Sequence, residues 1–355
     1  MNKDFWKNKK VMLTGHTGFK GSWLSIWLQS AGARLLGYAL DPPTDPNHFN
    51  LANVVNGMES VVGDIRDINS LKKTAQEFDP EIIIHFAAQP LVRLSYELPI
   101  ETIETNVLGT AILLETVRSL KSARVVICIT TDKCYENREW HWGYREIEPM
   151  GGHDLYSASK GSAELIISSY RRSFFPIDKY NEHGVAIAST RAGNVIGGGD
   201  WAQDRLIPDI MKTFIKNKPV IIRSPYAIRP WQHVIEPLNG YLILAEKLFE
   251  EGPKFAEGWN FGPTDEDAKP VSWIVDKLVS LWGQDAKWEL DSNINPHEAN
   301  YLKLDCSKAN ALLDWRPKTN LQTALEWIVE WYRDYQRGGD VRTITEKQIY
   351  RFEKL

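Results

Sequence analysis

An α/β fold, a doubly wound parallel sheet with a smaller, interleaved C-terminal lobe, is predicted by three observations. Short β-branched runs alternate with helix-length amphipathic stretches through the first half of the chain. A glycine-rich turn, Gly15-His16-Thr17-Gly18-Phe19-Lys20-Gly21, follows the first of those runs directly and opens the first helix-length apolar segment. After Arg191 the alternation breaks into Gly197-Gly198-Gly199 and prolines at 208, 219, 225, 230 and 237, which marks a loop-rich second lobe.

Taken in order, strands are expected over residues 10–14, 34–40, 60–63, 82–86, 124–130 and 185–191. Helices fill the gaps, notably 20–31, 100–120 and 155–172. Six such strands make a dinucleotide-sized sheet of the Rossmann type. Residues 1–191 are therefore read as a nucleotide-binding domain and 192–355 mainly as a substrate lobe. Arg229-Pro230-Trp231-Gln232-His233-Val234 and Gly258-Trp259-Asn260-Phe261-Gly262 look like short strands that return to the first domain. Helices over 272–282, 307–313 and 321–335 complete the second lobe, followed by a Gly338-Gly339 break and a charged tail.

Composition excludes several classes of function. With 43% hydrophobic residues over 355 positions the chain can bury a large core. Its net charge of −4 comes from well-mixed charges with no basic run, which argues against nucleic acid as a partner. The apolar runs are strand-sized, so no membrane partner is expected. Cys128, Cys134 and Cys306 are odd in number and lack metal-ligand spacing, so no metal is expected and a reducing cytoplasm fits best. The tryptophans are scattered, and packing explains them better than a cofactor site does.

The glycine turn has the context of a phosphate loop. Glycines let the backbone turn tightly and approach a pyrophosphate, and amides at the following helix N-terminus face its charge. Gly15, Thr17, Gly18, Phe19, Lys20 and Gly21 are the loop candidates. His16 and Lys20 either meet the phosphates or cover the cleft. Asp41 ends the second strand, where a carboxylate accepts from a ribose 2′-hydroxyl and repels a 2′-phosphate, which favours NAD over NADP. Asp64 and Ile65 follow the third strand; they either flank the adenine or, for Asp64, cap the loop.

Tyr156-Ser157-Ala158-Ser159-Lys160 places a phenol and an ammonium one helical turn apart. The ammonium is expected to lower the phenol pKa, so that Tyr156 can take a proton from a sugar hydroxyl that a nicotinamide oxidises.

The Gly15/Gly18/Gly21 loop, Phe86-Ala87-Ala88, Thr130-Thr131-Asp132-Lys133 and the Tyr156/Lys160 pair, in that order, resemble the extended short-chain dehydrogenase/reductases acting on nucleotide sugars. Within that family the chain is most similar to the nucleoside-diphosphate-glucose 4,6-dehydratases. Ala87-Ala88-Gln89-Pro90-Leu91-Val92-Arg93, Thr131-Asp132-Lys133-Cys134-Tyr135, Arg191-Ala192-Gly193-Asn194-Val195-Ile196-Gly197-Gly198-Gly199-Asp200-Trp201 and Arg229-Pro230-Trp231-Gln232-His233-Val234 carry this closer likeness. It implies NAD held by the glycine loop and by Ala87, Ala88, Tyr156 and Lys160, with CDP-glucose as substrate. It also implies a homodimer pairing through the 100–120 and 155–172 helices, and deoxysugar synthesis for a bacterial surface polysaccharide.

By the same resemblance, Tyr156 takes the C4 hydroxyl proton, Thr131 bonds the C4 oxygen and Asp132 protonates the departing C6 hydroxyl. Lys133 stands where related enzymes carry a glutamate. It acts as the C5 base, stabilises an enolate, or pairs with Glu136 or Glu164; the base is favoured. Asn194, Arg229 and Asn260 fall at the diphosphate, with Arg205 a further candidate by type. Trp201 stacks on the substrate or is buried between lobes, the second being favoured. A 4-epimerase shares the loop and the Tyr/Lys pair but has no use for Asp132 and Lys133. A non-catalytic NAD sensor has no use for Thr131, Asp132, Tyr156 and Lys160 together.

Overall fold

The computed structural model describes residues 1–283, 286–291 and 302–355. Seven parallel strands form its main sheet: β1 (Lys10–Thr14), β2 (Arg34–Ala39), β3 (Glu59–Val62), β4 (Ile82–His85), β5 (Val125–Ile129), β6 (Ala186–Arg191) and β7 (Gly258–Asn260). They lie in the order β7-β6-β5-β4-β1-β2-β3. The first six strands match the expected runs to within a residue at each end.

The residues explain the two-sided cover. Along each strand, alternate side chains point to opposite faces. Val11, Leu13, Ile82, Ile84, Val125 and Ile127 enter one apolar cluster, while Met12, Ile83, Val126 and Cys128 enter another. Both clusters are buried, which is why these strands read as unbroken apolar runs.

The helix α1 (Phe19–Ser30) is buried at every position from Gly21 to Leu28 because both of its sides are covered. One side lies on the sheet. The other receives the C-terminal part of the chain: the Trp27 ring meets Phe352 edge-on and Trp23 Nε1 donates to the Gly198 carbonyl at 2.9 Å.

Four expectations are corrected. The 100–120 segment is not one α-helix: Pro99–Ile103 runs into a π-helical turn, Glu104–Leu108, before α2 (Gly109–Val117). After α3 (Leu155–Ser173), the region expected to be loop-rich holds two further helices, Leu206–Ile215 and α4 (Ile235–Glu251). The charged tail is a helix, α5 (Val341–Glu353), with Val341, Ile344, Ile349 and Phe352 buried. Of the two returning segments, Gly258–Asn260 joins the sheet beside β6, but Ile228–Pro230 and Gln232–His233 pair with Ala268–Pro270 and Val195–Ile196 outside it. Among the described residues no helix is long and apolar enough to cross a membrane.

Candidate active site

The sheet order reverses between β1 and β4, and the glycine turn opens at that point, where doubly wound sheets bind their ligands. Gly15 has φ +73°, and a Cβ there would lie 2.6 Å from the Ala87 nitrogen and 2.9 Å from the Phe86 carbonyl carbon. A Cβ on Gly21 would strike the Gly15 carbonyl oxygen and approach His16 Cα to 2.7 Å. Both glycines are thus required by contact, and the loop is a cradle that side chains would fill. Gly18 begins α1 without a side-chain cap and the first turn carries no acidic residue, so its amides are left for an anion. These features fit the pyrophosphate of a dinucleotide.

The Thr17 hydroxyl donates to the Leu40 carbonyl at 2.9 Å, tying the loop to the end of β2, where Asp41 is exposed. His16 fits neither expected role. Its ring is buried beneath the sheet edge, 2.7 Å from the Ser60 hydroxyl, and burial pushes it down to about 4. Asp64 takes the capping role: it accepts from the Arg66 amide at 2.8 Å and pairs with the guanidinium at 2.6 Å. Ile65 is buried beside Gly109, and Ala87 and Ala88 are half-buried at the end of β4.

The catalytic candidates come from two elements. β5 ends in Thr130 and Thr131 and then turns through Asp132–Cys134. α3 starts at an Asp154 cap, which accepts from the Ser157 amide, and presents Tyr156 and Lys160 on successive turns. Asn106, in the π-helical turn, ties α3 to the segment after β4: its amide donates to Ser159 Oγ at 2.9 Å and exchanges two hydrogen bonds with the Gln89 backbone. Thr130 donates to Glu164 on α3 at 2.5 Å, and Glu164 is held by Ser189 and, through both oxygens, by Arg191.

Thr131 Oγ1 donates to Asp132 Oδ1 at 2.9 Å, while the buried Asp132 Oδ2 has no hydrogen-bond partner among the described residues. Burial pushes the Tyr156 phenol up to about 12; the Thr131 hydroxyl and then the Arg205 guanidinium pull the other way. The expected lowering of the phenol by Lys160 is corrected: the ammonium is turned to the Ile129 carbonyl at 3.3 Å. Burial lowers Lys160 to about 8. It lowers Lys20 to about 7, with Arg205 and Lys160 adding to the effect and Asp132 and Asp200 opposing it. Lys20 therefore belongs electrostatically to the cluster of Asp132, Lys160, Asp200 and Arg205. Lys133 is half-buried and makes no ion pair among the described residues; Glu164 is taken by Arg191 and Glu136 by Arg138.

Of the expected substrate residues, Arg205 reaches this cluster and pairs with Asp200 at 3.1 Å. Asn194 is half-buried in the loop after β6, in the left-handed region at φ 48°. Arg229 is half-buried on the strand beyond it and donates to the Ile228 carbonyl at 3.0 Å. Asn260 is corrected. It is fully buried, its Oδ1 accepts from the Tyr135 hydroxyl and its Nδ2 donates to the Tyr144 and Asp305 carbonyls, so both ends of the amide are engaged within the protein. Trp201 is buried between Tyr332 and Tyr335, each 5.2 Å away. Sequence reading gives Asp200 and Asn106 no role and names Glu164 only as an alternative partner of Lys133, although its place one turn beyond Lys160 on the same helix face was a signal.

The family described as GDP-mannose 4,6 dehydratase matches residues 12–328. A CDP-glucose 4,6-dehydratase of Salmonella typhimurium is 60% identical over 98% of this chain and 97% of its own length. Among solved structures, a dTDP-glucose 4,6-dehydratase from Streptomyces venezuelae with NAD and TYD bound superposes with a TM-score of 0.78, at 23% identity over 93% of this chain and 98% of that one. A Thermus thermophilus UDP-glucose 4-epimerase complexed with NAD gives 0.78 at 22% identity, over 91% and 98%. At such identities these two speak for the fold alone.

Proposed function

The chain belongs to the GDP-mannose 4,6 dehydratase family, and from that membership we propose that it is a CDP-glucose 4,6-dehydratase, a hydro-lyase that uses NAD. One observation carries the reading. Asp132, with its unpartnered buried oxygen, sits beside Thr131 and within electrostatic reach of Tyr156, so an elimination acid adjoins an oxidation base. An epimerase has no task for that acid, and a sensor has none for either group. The nucleotide preference follows the relative at 60% identity.

The glycine loop, Lys20, Ala87, Ala88 and Lys160 would hold the cofactor, with Asp41 at the ribose and Ile65 near the adenine. When bound, NAD would supply the hydride acceptor for C4 and the hydride donor for C6. Tyr156 removes the C4 hydroxyl proton, and the Thr131 hydroxyl bonds the resulting C4 oxygen. The ketone acidifies C5. Lys133 takes the C5 proton; the C6–O bond breaks as Asp132 protonates the leaving oxygen, giving water and a C5=C6 double bond. Lys133 then returns its proton to C5. Over the cycle Tyr156 gains the proton that Asp132 loses, and Thr131 lies next to both. Asn194, Arg205 and Arg229 take the diphosphate, for which directed N–H donors are suited.

Residues 1–191 with β7 form the cofactor domain, and 192–355 mainly the substrate lobe. Ile100, Leu108 and Leu165 are at least half exposed on adjoining helices, 66%, 50% and 62% respectively. An uncovered apolar face of this kind suits a second copy of the chain. Leu108→Glu combined with Leu165→Glu is expected to convert a dimer to a monomer in analytical ultracentrifugation; an unchanged mass places the interface elsewhere.

The function is tested by incubating the protein separately with CDP-, TDP-, UDP- and GDP-glucose, with NAD well below substrate. A C6 methyl doublet in the proton NMR spectrum with CDP-glucose, and no accumulated reduced nicotinamide, is the expected result. A galactose-type anomeric signal indicates the epimerase, and no change with any sugar moves the sensor reading forward.

A further inference from the structure

Gly193 does not need to be glycine for the sake of its backbone, since its φ lies outside the left-handed region. The neighbouring Asn194, at φ 48°, takes that conformation instead. Yet a Cβ on Gly193 would lie 2.5 Å from Asp132 Oδ1 and closer still to Oδ2 and Cγ. The three nearest heavy atoms all belong to that one side chain. The carboxyl occupies the volume a side chain would take.

Neither partner can easily withdraw. Asp132 is buried, begins a tight turn and receives the Thr131 hydroxyl on Oδ1. On the other side, the Arg191 guanidinium is locked to Glu164, the Arg191 carbonyl accepts from the Phe261 amide at 2.8 Å, and Gln232 Nε2 donates to the Gly193 and Phe261 carbonyls at 3.4 and 2.9 Å. With Oδ1 engaged and Oδ2 without a partner, the one free oxygen of the acid is the one seated on Gly193.

We propose that Gly193 is a positioning residue for the elimination half of the reaction: its missing side chain seats the Asp132 carboxyl with Oδ2 available to the departing hydroxyl. This rests on the assignment of Asp132 as the acid. Adding a methyl group at 193 displaces the carboxyl but leaves Tyr156, Thr131 and the glycine loop in place. C4 oxidation then continues while water loss stalls: the C6–O bond has no proton donor as it breaks.

The test uses Gly193→Ala, Asp132→Ala and the double variant. With CDP-glucose and stoichiometric NAD, Gly193→Ala is expected to accumulate reduced nicotinamide, with methyl-product formation falling on the order of 100-fold or more, the range of a lost general acid. A disturbed loop without this role would slow oxidation equally. Gly193→Ala should also lower the melting temperature in the parent and not in the Asp132→Ala background, where the clash is gone. An equal drop in both backgrounds, or methyl product at the parental rate, overturns the proposal. If the parent forms no methyl product, the dehydratase reading falls, and the stability comparison alone decides whether Gly193 seats the carboxyl.

Discussion

Tyr156→Phe is expected to lower turnover about a thousandfold, within the range for loss of a general base, while NAD binding stays near the parental value. The ring is buried, so phenylalanine retains its packing, and the residue's backbone amide still donates to Ser95 Oγ. Only the hydroxyl is lost, and with it the group proposed to take the C4 proton. Burial holds that phenol up at about 12. Deprotonating it near neutral pH therefore needs the cations gathered around it, of which Arg205 already acts on Tyr156 directly. Turnover is read by methyl-product formation and binding by calorimetry. Near-parental turnover removes Tyr156 from the reaction; loss of NAD binding instead assigns it a cofactor-holding role.

The second large effect falls on stability. Glu164→Gln is expected to destabilise the protein by about 3–5 kcal/mol, because it leaves the Arg191 charge buried and uncompensated. The two side chains are 6% and 4% exposed and meet at 2.8 Å, so solvent screening does little here. Replacing both partners with apolar residues should recover much of the loss, since the desolvation cost of the pair disappears with it. Chemical denaturation at neutral pH measures both variants; a loss under 1 kcal/mol for Glu164→Gln contradicts the account.

The pair also sets a pH response. Burial alone would raise the Glu164 carboxyl, but Arg191 and the hydrogen bonds from Arg191, Thr130 and Ser189 outweigh it and leave the net shift downward. A carboxyl lowered on folding contributes stability that is fully present above its unfolded value of 4.5 and is lost as pH falls through the folded value. Acid destabilisation should therefore be shallower in Glu164→Gln than in the parent. Because Glu164 ties Thr130 to α3, the same loss loosens the two elements that carry Asp132 and Tyr156.

The strands were legible in the sequence because a sheet covered on both faces leaves continuous β-branched runs with polar ends, as in Ile82-Ile83-Ile84. The missed helices have specific causes. Pro208 and Pro237 read as loop residues, yet each stands third in its helix, where an amide has no intrahelical partner to lose. In α5 the buried set Val341, Ile344, Thr345, Gln348, Ile349 and Phe352 has clear helical spacing, but two of its members are polar and the charged positions between them dominated the impression of a tail. The π-helical turn at 104–108 left no compositional mark.

At the site, the Tyr156/Lys160 spacing and the resemblance singled out Thr131, Asp132, Tyr156 and Lys160, and the fold places them on the turn after β5 and the first turns of α3. Asn260 was misplaced for the opposite reason: an amide on a strand can face a ligand or the interior, and only the pairing of β7 with β6 decides which. Asn106 and Glu164 act through residues distant in sequence, and Gly193 through the absence of a side chain, so their roles became visible only once the chain was folded.

The central claim is that oxidation, water loss and reduction occur at one site with no net redox change. CDP-glucose deuterated at C4, incubated with NAD well below substrate, tests this most directly. The account predicts that the label leaves C4 and reappears in the C6 methyl group of the product. Label retained at C4, or lost from the sugar into reduced nicotinamide without a methyl product, would contradict it.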